Sequence, residues 1–246
     1  MALYPGSFRQ RATRLSLNVR ADHLIWMMAV IFLCSVVATP SFAQDPVKVD
    51  PTHSRVEFED DQVRVLRMRL GPGEQATTHS HPDAVLVYLT ANLEGRMPPA
   101  EAEWQPASTH EPENSASASF QALLVELKLA PTQVAAPLAP ELAPAAPTMG
   151  IRVTRLIENA RVTVSKHRLA PMVRGERLHF HLQDTVIVYL RGGYMTGTTG
   201  RRGPYGTYDG SYKVRRGQVD VLPANTLHAF ANMGNDPIEF VMIQPK

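Results

Sequence analysis

The chain of 246 residues contains a single cysteine, Cys34. An intramolecular disulfide needs two, so the fold must hold together without one. A centre built on several thiolates is excluded too, and any metal must be held by nitrogen and oxygen. Long apolar runs are also missing: the longest, Leu24 to Ala38 broken only by Ser35, has 15 residues, short of the roughly 20 that a helix needs to cross a bilayer core. A membrane channel is excluded on that count. Residues 44–246 hold no helical period over three turns, and the chain lacks a phosphate-binding loop, a Gly-x-Ser-x-Gly elbow and a pair of catalytic glutamates. Nucleophilic hydrolysis therefore has no visible support. With 44% hydrophobic and 20% charged residues, what remains is an ordinary globular composition rather than a collagen, a coiled coil or a disordered chain.

Arg9, Arg11, Arg14 and Arg20 precede the apolar run, and Pro40-Ser41-Phe42-Ala43 follows it with small residues where a signal peptidase reads. Residues 1–43 are expected to be a secretory signal cut after Ala43, with an uncleaved anchor or a buried helix as the alternative. No two arginines are adjacent there, which favours the general export route, and Leu33 before Cys34 argues against lipid attachment. The expected location is periplasmic or secreted, with no membrane span after signal cleavage. The segment carries four arginines and Asp22, so its removal takes the formal charge from +2 to −1. A nucleic-acid partner would need a basic surplus that this chain then lacks.

The rest of the chain divides into residues 44–130, a Pro/Ala-rich spacer at 131–149, and residues 150–246. The two flanking stretches repeat each other. His79-Ser80-His81 followed by Val85-Leu86-Val87-Tyr88-Leu89 answers to His179-Phe180-His181 followed by Val186-Ile187-Val188-Tyr189-Leu190. Later, Pro106, His110, Asn114 and Phe120 to Val125 answer to Pro223, His228, Asn232 and Ile238 to Ile243. Alternation in Val63 to Leu70 and in Arg161 to Ser165, with turns at Gly71-Pro72-Gly73 and Gly192-Gly193, reads as strand nearly throughout. Two all-β units, closed or nearly closed to protect their edges, are expected. Their charges differ: residues 44–130 have 7 basic and 14 acidic side chains, residues 150–246 the reverse. An anionic ligand would favour the second unit, or the opposite charges simply help the halves dock.

Six of the nine histidines fall on repeated positions: His79, His81, His110, His179, His181 and His228. In a strand, residues i and i+2 share a face, so each His-x-His aims two imidazoles the same way. The third histidine, 29 residues after His81 or 47 after His181, reaches the same point only if its strand lies beside or opposite the first. Three neutral imidazoles form a facial set for a divalent Zn, Fe, Mn, Ni or Cu ion, with positions left open for water or ligand. The other reading is histidines satisfied by hydrogen bonds in a polar interior. His167 occurs in the second repeat only and is expected at the surface or supporting the set, and His23 and His53 have no counterpart.

At these residues the chain resembles the cupin superfamily. Gly73 with His79 and His81 fits the opening of the first cupin motif, and His110 with Asn114 the close of the second. The second repeat matches with His179, His181 and Gly192, then Gly217, Pro223, His228 and Asn232, with Asn225 replacing a glycine. The resemblance covers nearly all of residues 52–128 and 150–246 and implies a two-domain protein of tandem jelly-roll β-barrels. Where the family usually places a glutamate ligand stand Ala84 or Val85 and Thr185, while Asp83 and Asp184 are off the expected spacing. A three-His site without carboxylate is therefore expected, and its greater positive charge favours a small anionic ligand. In the family such sites occur in iron dioxygenases, whereas around zinc the same ligands would polarise a carbonyl or activate water.

The expected function is an exported metal-binding bicupin, dioxygenase-like or lyase- or isomerase-like, acting on a small anionic metabolite. The alternative is a non-catalytic periplasmic binding or sensing module. The sequence assigns no catalytic residue and no organic cofactor, and the resemblance admits a homodimer. The segment from Gly192 to Gly210 carries seven of the 15 glycines with Tyr194, Tyr205, Tyr208, Arg201 and Arg202, and reads as a hairpin or flap, either a lid over the site or a solvated tip or dimer contact.

Overall fold

A computed structural model describes residues 44–98, 100–128, 149–173, 179–197, 210–226 and 228–246. The expected signal, nearly all of the spacer and the tip of the Gly-rich segment lie outside the described residues. No described helix is long and apolar enough to cross a membrane.

A single helical turn, α1 (Pro46–Val49), is capped by Asp45, whose carboxylate accepts the Val47 N–H at 2.9 Å. Strands follow: β1 (Ser54–Glu59), β2 (Val63–Leu70), β3 (His79–His81), β4 (Ala84–Tyr88), β5 (Ala102–Gln105), β6 (Ser108–His110) and β7 (Phe120–Leu127). The second repeat contributes β8 (Ile151–Glu158), β9 (Val162–Leu169), β10 (Thr185–Arg191), β11 (Gly193–Gly197), β12 (Gly210–Val214), β13 (Val219–Leu222), β14 (Phe230–Asn232) and β15 (Ile238–Pro245). The duplication seen in the sequence is a duplication of topology. One five-stranded sheet runs β1-β2-β7-β4-β5 and the other β8-β9-β15-β10-β13, all antiparallel. Even the bulges repeat, between Val56 and Phe58 in β1 and between Arg155 and Ile157 in β8. Opposite the first sheet lies the β3-β6 ladder. The second repeat has there a backbone bridge between His179 and His228 and a three-stranded sheet β12-β11-β14. The β11-β12 hairpin is the base of the Gly-rich segment.

The inner strands of each large sheet are buried on both faces. Alternate residues Leu66, Met68, Leu70, Ala122 and Leu124 point into the first barrel, and Leu169, Ile187, Tyr189, Phe240 and Met242 into the second. The intervening residues Val63, Val65, Val85, Val87, Leu123 and Val125 meet Val162, Val164, Val186, Val188, Val241 and Ile243 in a third core shared by the two repeats. Strands covered on both faces read as continuous apolar runs, as in Ile187-Val188-Tyr189 and Leu123-Leu124-Val125. Removing each such valine from water is worth about 1.5–3 kcal/mol, so the shared core joins the repeats into one compact unit spanning residues 43–246. Ion pairs cross the seam: Arg161 to Asp83 at 3.1 Å, and Lys166 to Glu101. These fit the docking role expected from the opposite charges. The Arg67 guanidinium also donates across the seam, to the Gly217 carbonyl. Gly217 is in the left-handed region (φ 73°), and a Cβ there would lie 3.1 Å from both Arg67 and Leu89.

Candidate metal centre

In the first repeat the β3-β6 register sets His79 opposite His110. Their ring centroids are 4.8 Å apart, and those of His81 and His110 are 5.0 Å apart. His79 and His81 are buried. Nδ1 of His79 donates to the Thr77 carbonyl and Nδ1 of His81 to the Pro82 carbonyl, both at 2.7 Å, which leaves Nε2 as the lone-pair nitrogen of each neutral ring. These lone pairs are engaged, by His110 Nε2 at 3.1 Å from His79 Nε2 and by Ser108 Oγ at 3.1 Å from His81 Nε2. Burial, then the neighbouring His79 and His81, lowers the His110 pKa to about 4. Residues 44–50 lie against this end of the barrel, with the Ser80 N–H donated to the Gln44 carbonyl and the Thr77 N–H to the Asp50 carboxylate, both at 2.8 Å.

In the second repeat His179 and His228 exchange backbone hydrogen bonds of 2.9 and 2.7 Å. The rings of His179, His181 and His228 have centroids 4.3 to 5.1 Å apart. One nitrogen from each lies within 4.8 Å of the other two, the one such group among the described residues. The His228 Nδ1 donates to the Thr226 carbonyl at 2.9 Å, fixing the tautomer whose Nε2 carries the lone pair. The His181 Nε2 is buried and makes no hydrogen bond, a state that costs about 1–3 kcal/mol if nothing fills it. Burial, followed by the nearby His228, His179 and His167, pulls the His181 pKa down to about 3. The Gln244 side-chain amide sits 2.6 Å from His181 Nδ1. With its oxygen turned to that nitrogen, the amide accepts Nδ1–H and leaves Nε2 free to ligate. Neutral, nitrogen-only and partly desolvated, this donor set fits a borderline divalent ion.

The structure brings His179, His181 and His228 together as one group; in the first repeat His110 adjoins both His79 and His81, but the three do not form such a group. The structure also shows what the off-spacing carboxylates do: Asp83 accepts the Ala107 N–H at 3.0 Å and Asp184 the Ala224 N–H at 2.7 Å. Both clamp the turn before a strand to the loop opposite. The motif asparagines are clamps as well. Asn114 Nδ2 donates to the carbonyls of Leu70, Gly71 and Ala118, and Asn232 Nδ2 to those of Leu169, Ala170 and Asp236, all at 2.8–3.2 Å. Asn225, standing where the motif has glycine, adopts φ 60°, a conformation that asparagine tolerates better than other side chains.

Two further residues border the second site, of which Gln244 has no signal in the sequence. Gln244 falls one residue beyond the repeated run that ends at Ile243, and its counterpart in the first repeat is Glu126, as the register to Ala84 shows. Burial raises the Glu126 pKa to about 7, and Arg64, 3.6 Å away, opposes that rise. The other is His167, expected either at the surface or supporting the set, which is 9% exposed, in line with the second of these. Its ring stacks on Phe240 at 5.0 Å, Nε2 meets Ser165 Oγ at 3.0 Å, and Nδ1 is buried with no hydrogen bond. Burial and then His179 lower its pKa to about 4. The register that pairs Met68 with Ala122 and His167 with Phe240 puts Leu66 and Met68 where the second barrel has Ser165 and His167. The second interior is the more polar one.

No family model matches the sequence, and no curated protein matches it. Solved structures do match the fold. Salicylate 1,2-dioxygenase from Pseudoaminobacter salicylatoxidans, in adduct with gentisate, aligns over 75% of this chain and 68% of its own at 12% identity, with a TM-score of 0.52. An oxalate decarboxylase variant from Bacillus subtilis aligns over 78% and 74% at 12% identity, with a TM-score of 0.51. The chain has the cupin fold. At this level of identity the likeness is one of architecture alone; the three-histidine cluster is this chain's own feature.

Proposed function

We propose that the chain is an exported cupin that binds a divalent metal through His179, His181 and His228 and uses the open side of that ion on a small anionic metabolite. The observation that carries the reading is the convergence of three imidazoles around a His181 Nε2 that is buried and without a hydrogen bond. A bound ion would supply Lewis acidity and, with iron, access to oxygen chemistry. The chain's own residues would do the rest. Thr226 and Gln244 hold ring orientation at His228 and His181, Phe230 and Phe240 form an apolar wall, and His167 offers a nitrogen to a polar ligand. The absence of a carboxylate among the donors leaves the site's positive charge for the ligand to neutralise, which supports an anion. The fold likeness to a salicylate dioxygenase and an oxalate decarboxylase, both named for acting on carboxylates, is in keeping with this. The signal-like segment at 1–43 supports export.

In the first repeat an ion must compete with the His110–His79 and Ser108–His81 hydrogen bonds. That favours a weaker or purely structural role for His79, His81 and His110, as in the binding-module reading. The test is metal content after equilibration with Fe, Zn, Mn, Ni or Cu followed by dialysis. The wild type should retain an ion that the His179→Ala/His181→Ala variant loses and the His79→Ala/His81→Ala variant keeps. Equal retention by wild type and the first variant refutes the assignment. Oxygen uptake with thiols, diols or diketones then separates dioxygenase from lyase chemistry.

A further inference from the structure

The duplicated architecture provides two seams between the repeats, and they differ in charge. At the second, Lys166 pairs with Glu101 across the seam and with Glu239 at 3.1 Å, while Arg168 pairs with Glu239 at 3.2 Å. Arg168 and Glu239 are cross-strand partners. At the first, the equivalent cross-strand pair is Arg69 and Gln121, so the carboxylate has become an amide. Arg67, the counterpart of Lys166, is neutralised by Glu57 at 2.7 Å and donates to the Gly217 carbonyl. Arg216 reaches over from the second repeat and donates to the Leu89 carbonyl. Among the described residues neither Arg69 nor Arg216 has a carboxylate at ion-pair distance, and both are exposed.

These side chains border one cleft of about 530 Å³, lined by Arg67, Arg69, Leu89, Thr90, Gln121 and Arg216. That volume is in the range of small-molecule sites. It holds two guanidinium groups without a counter-charge beside a third whose charge is already met. None of the lining residues belongs to either histidine triad. Guanidinium groups present forked N–H donors that match the paired oxygens of carboxylates and phosphates. Sheet register sets Arg69 beside Gln121, and the Leu89 bond holds Arg216 on the lining of the same cleft.

We propose that this seam cleft binds a small oxyanion, a carboxylate or a phosphate, between Arg69 and Arg216. The site is independent of the metal. Calorimetric titration of the purified protein in low-chloride buffer with inorganic phosphate and, separately, with succinate tests it and tells the two sources apart. Saturable binding of about one equivalent of at least one anion is expected, with the affinity falling about tenfold or more in Arg69→Ala. The Gln121→Glu variant, which restores the carboxylate of the second seam and removes none of the seam's hydrogen bonds, should abolish binding while leaving metal content unchanged. Arg168→Ala at the second seam should leave the affinity as it was. No saturable binding of either anion up to about 10 mM, or binding that survives both Gln121→Glu and Arg69→Ala, overturns the proposal.

Discussion

Replacing Asn232 by alanine should unseat the strand that follows His228. Asn232 is fully buried. Its Nδ2 donates to the Leu169, Ala170 and Asp236 carbonyls at 3.2, 3.0 and 2.8 Å, and its Oδ1 accepts the Gly234 N–H at 2.9 Å. At about 1 kcal/mol net per hydrogen bond, plus the cost of leaving buried carbonyls unsatisfied, Asn232→Ala should lose about 3–4 kcal/mol. For a folded unit of this size that corresponds to a fall of about 6–16 °C in melting temperature. Asn232→Asp should cost more, because it keeps the acceptor and sets a buried carboxylate against three carbonyl oxygens. Urea unfolding followed by circular dichroism measures both, and Asn114→Ala provides the matched experiment in the first repeat. A loss below about 0.5 kcal/mol in Asn232→Ala, within the range of ordinary surface substitutions, would refute the clamp.

Three further outcomes are expected. Gln244→Ala should weaken the second site's metal affinity by about 10–100-fold in chelator competition, the usual effect of losing a partner behind a ligating histidine; unchanged affinity would remove Gln244 from the site. Gly217→Val should destabilise the protein by about 2–4 kcal/mol in urea, since it combines left-handed strain with a collision against Arg67 and Leu89, and a neutral result would contradict the close approach. Metal-free protein should lose stability on acidification. His110, His167 and His181 stay neutral in the fold down to about pH 3–4, whereas unfolded histidines take up protons below about 6.5, so the unfolded state binds more protons. Glu126, raised to about 7, acts in the opposite sense: its stabilising contribution is full below the unfolded carboxyl's range and is lost as pH rises through 7. Three histidines against one carboxyl leave a net loss of about 1–2 kcal/mol per pH unit below 6.5, read from urea midpoints at pH 7, 6 and 5. A flat profile would contradict it.

The triads were legible because their geometry is local: a two-residue period puts His79 with His81, and the repetition announces that His110 and His228 return to the same place. Topology followed from the same repetition. The shared core was written in the sequence too, since Val186-Ile187-Val188 and Leu123-Leu124-Val125 have no polar face, but a run apolar on both sides does not say which sheet covers the second side. Gln244 and His167 were harder. Only the tertiary packing shows that Gln244 meets the His181 ring and that His167 is buried against Phe240. Asp83 and Asp184, off the spacing of a ligand, accept backbone N–H groups more than twenty residues away, and Asp83 also pairs with Arg161 of the other repeat, contacts no spacing rule anticipates.

Anomalous diffraction from crystals of the protein equilibrated with zinc and, separately, with iron would locate the ion. A strong peak is expected about 2.0–2.2 Å from nitrogens of His179, His181 and His228 together, with weaker or no density among His79, His81 and His110. Ordered metal only at the surface, with the second triad's imidazoles hydrogen-bonded to one another, would contradict the assignment.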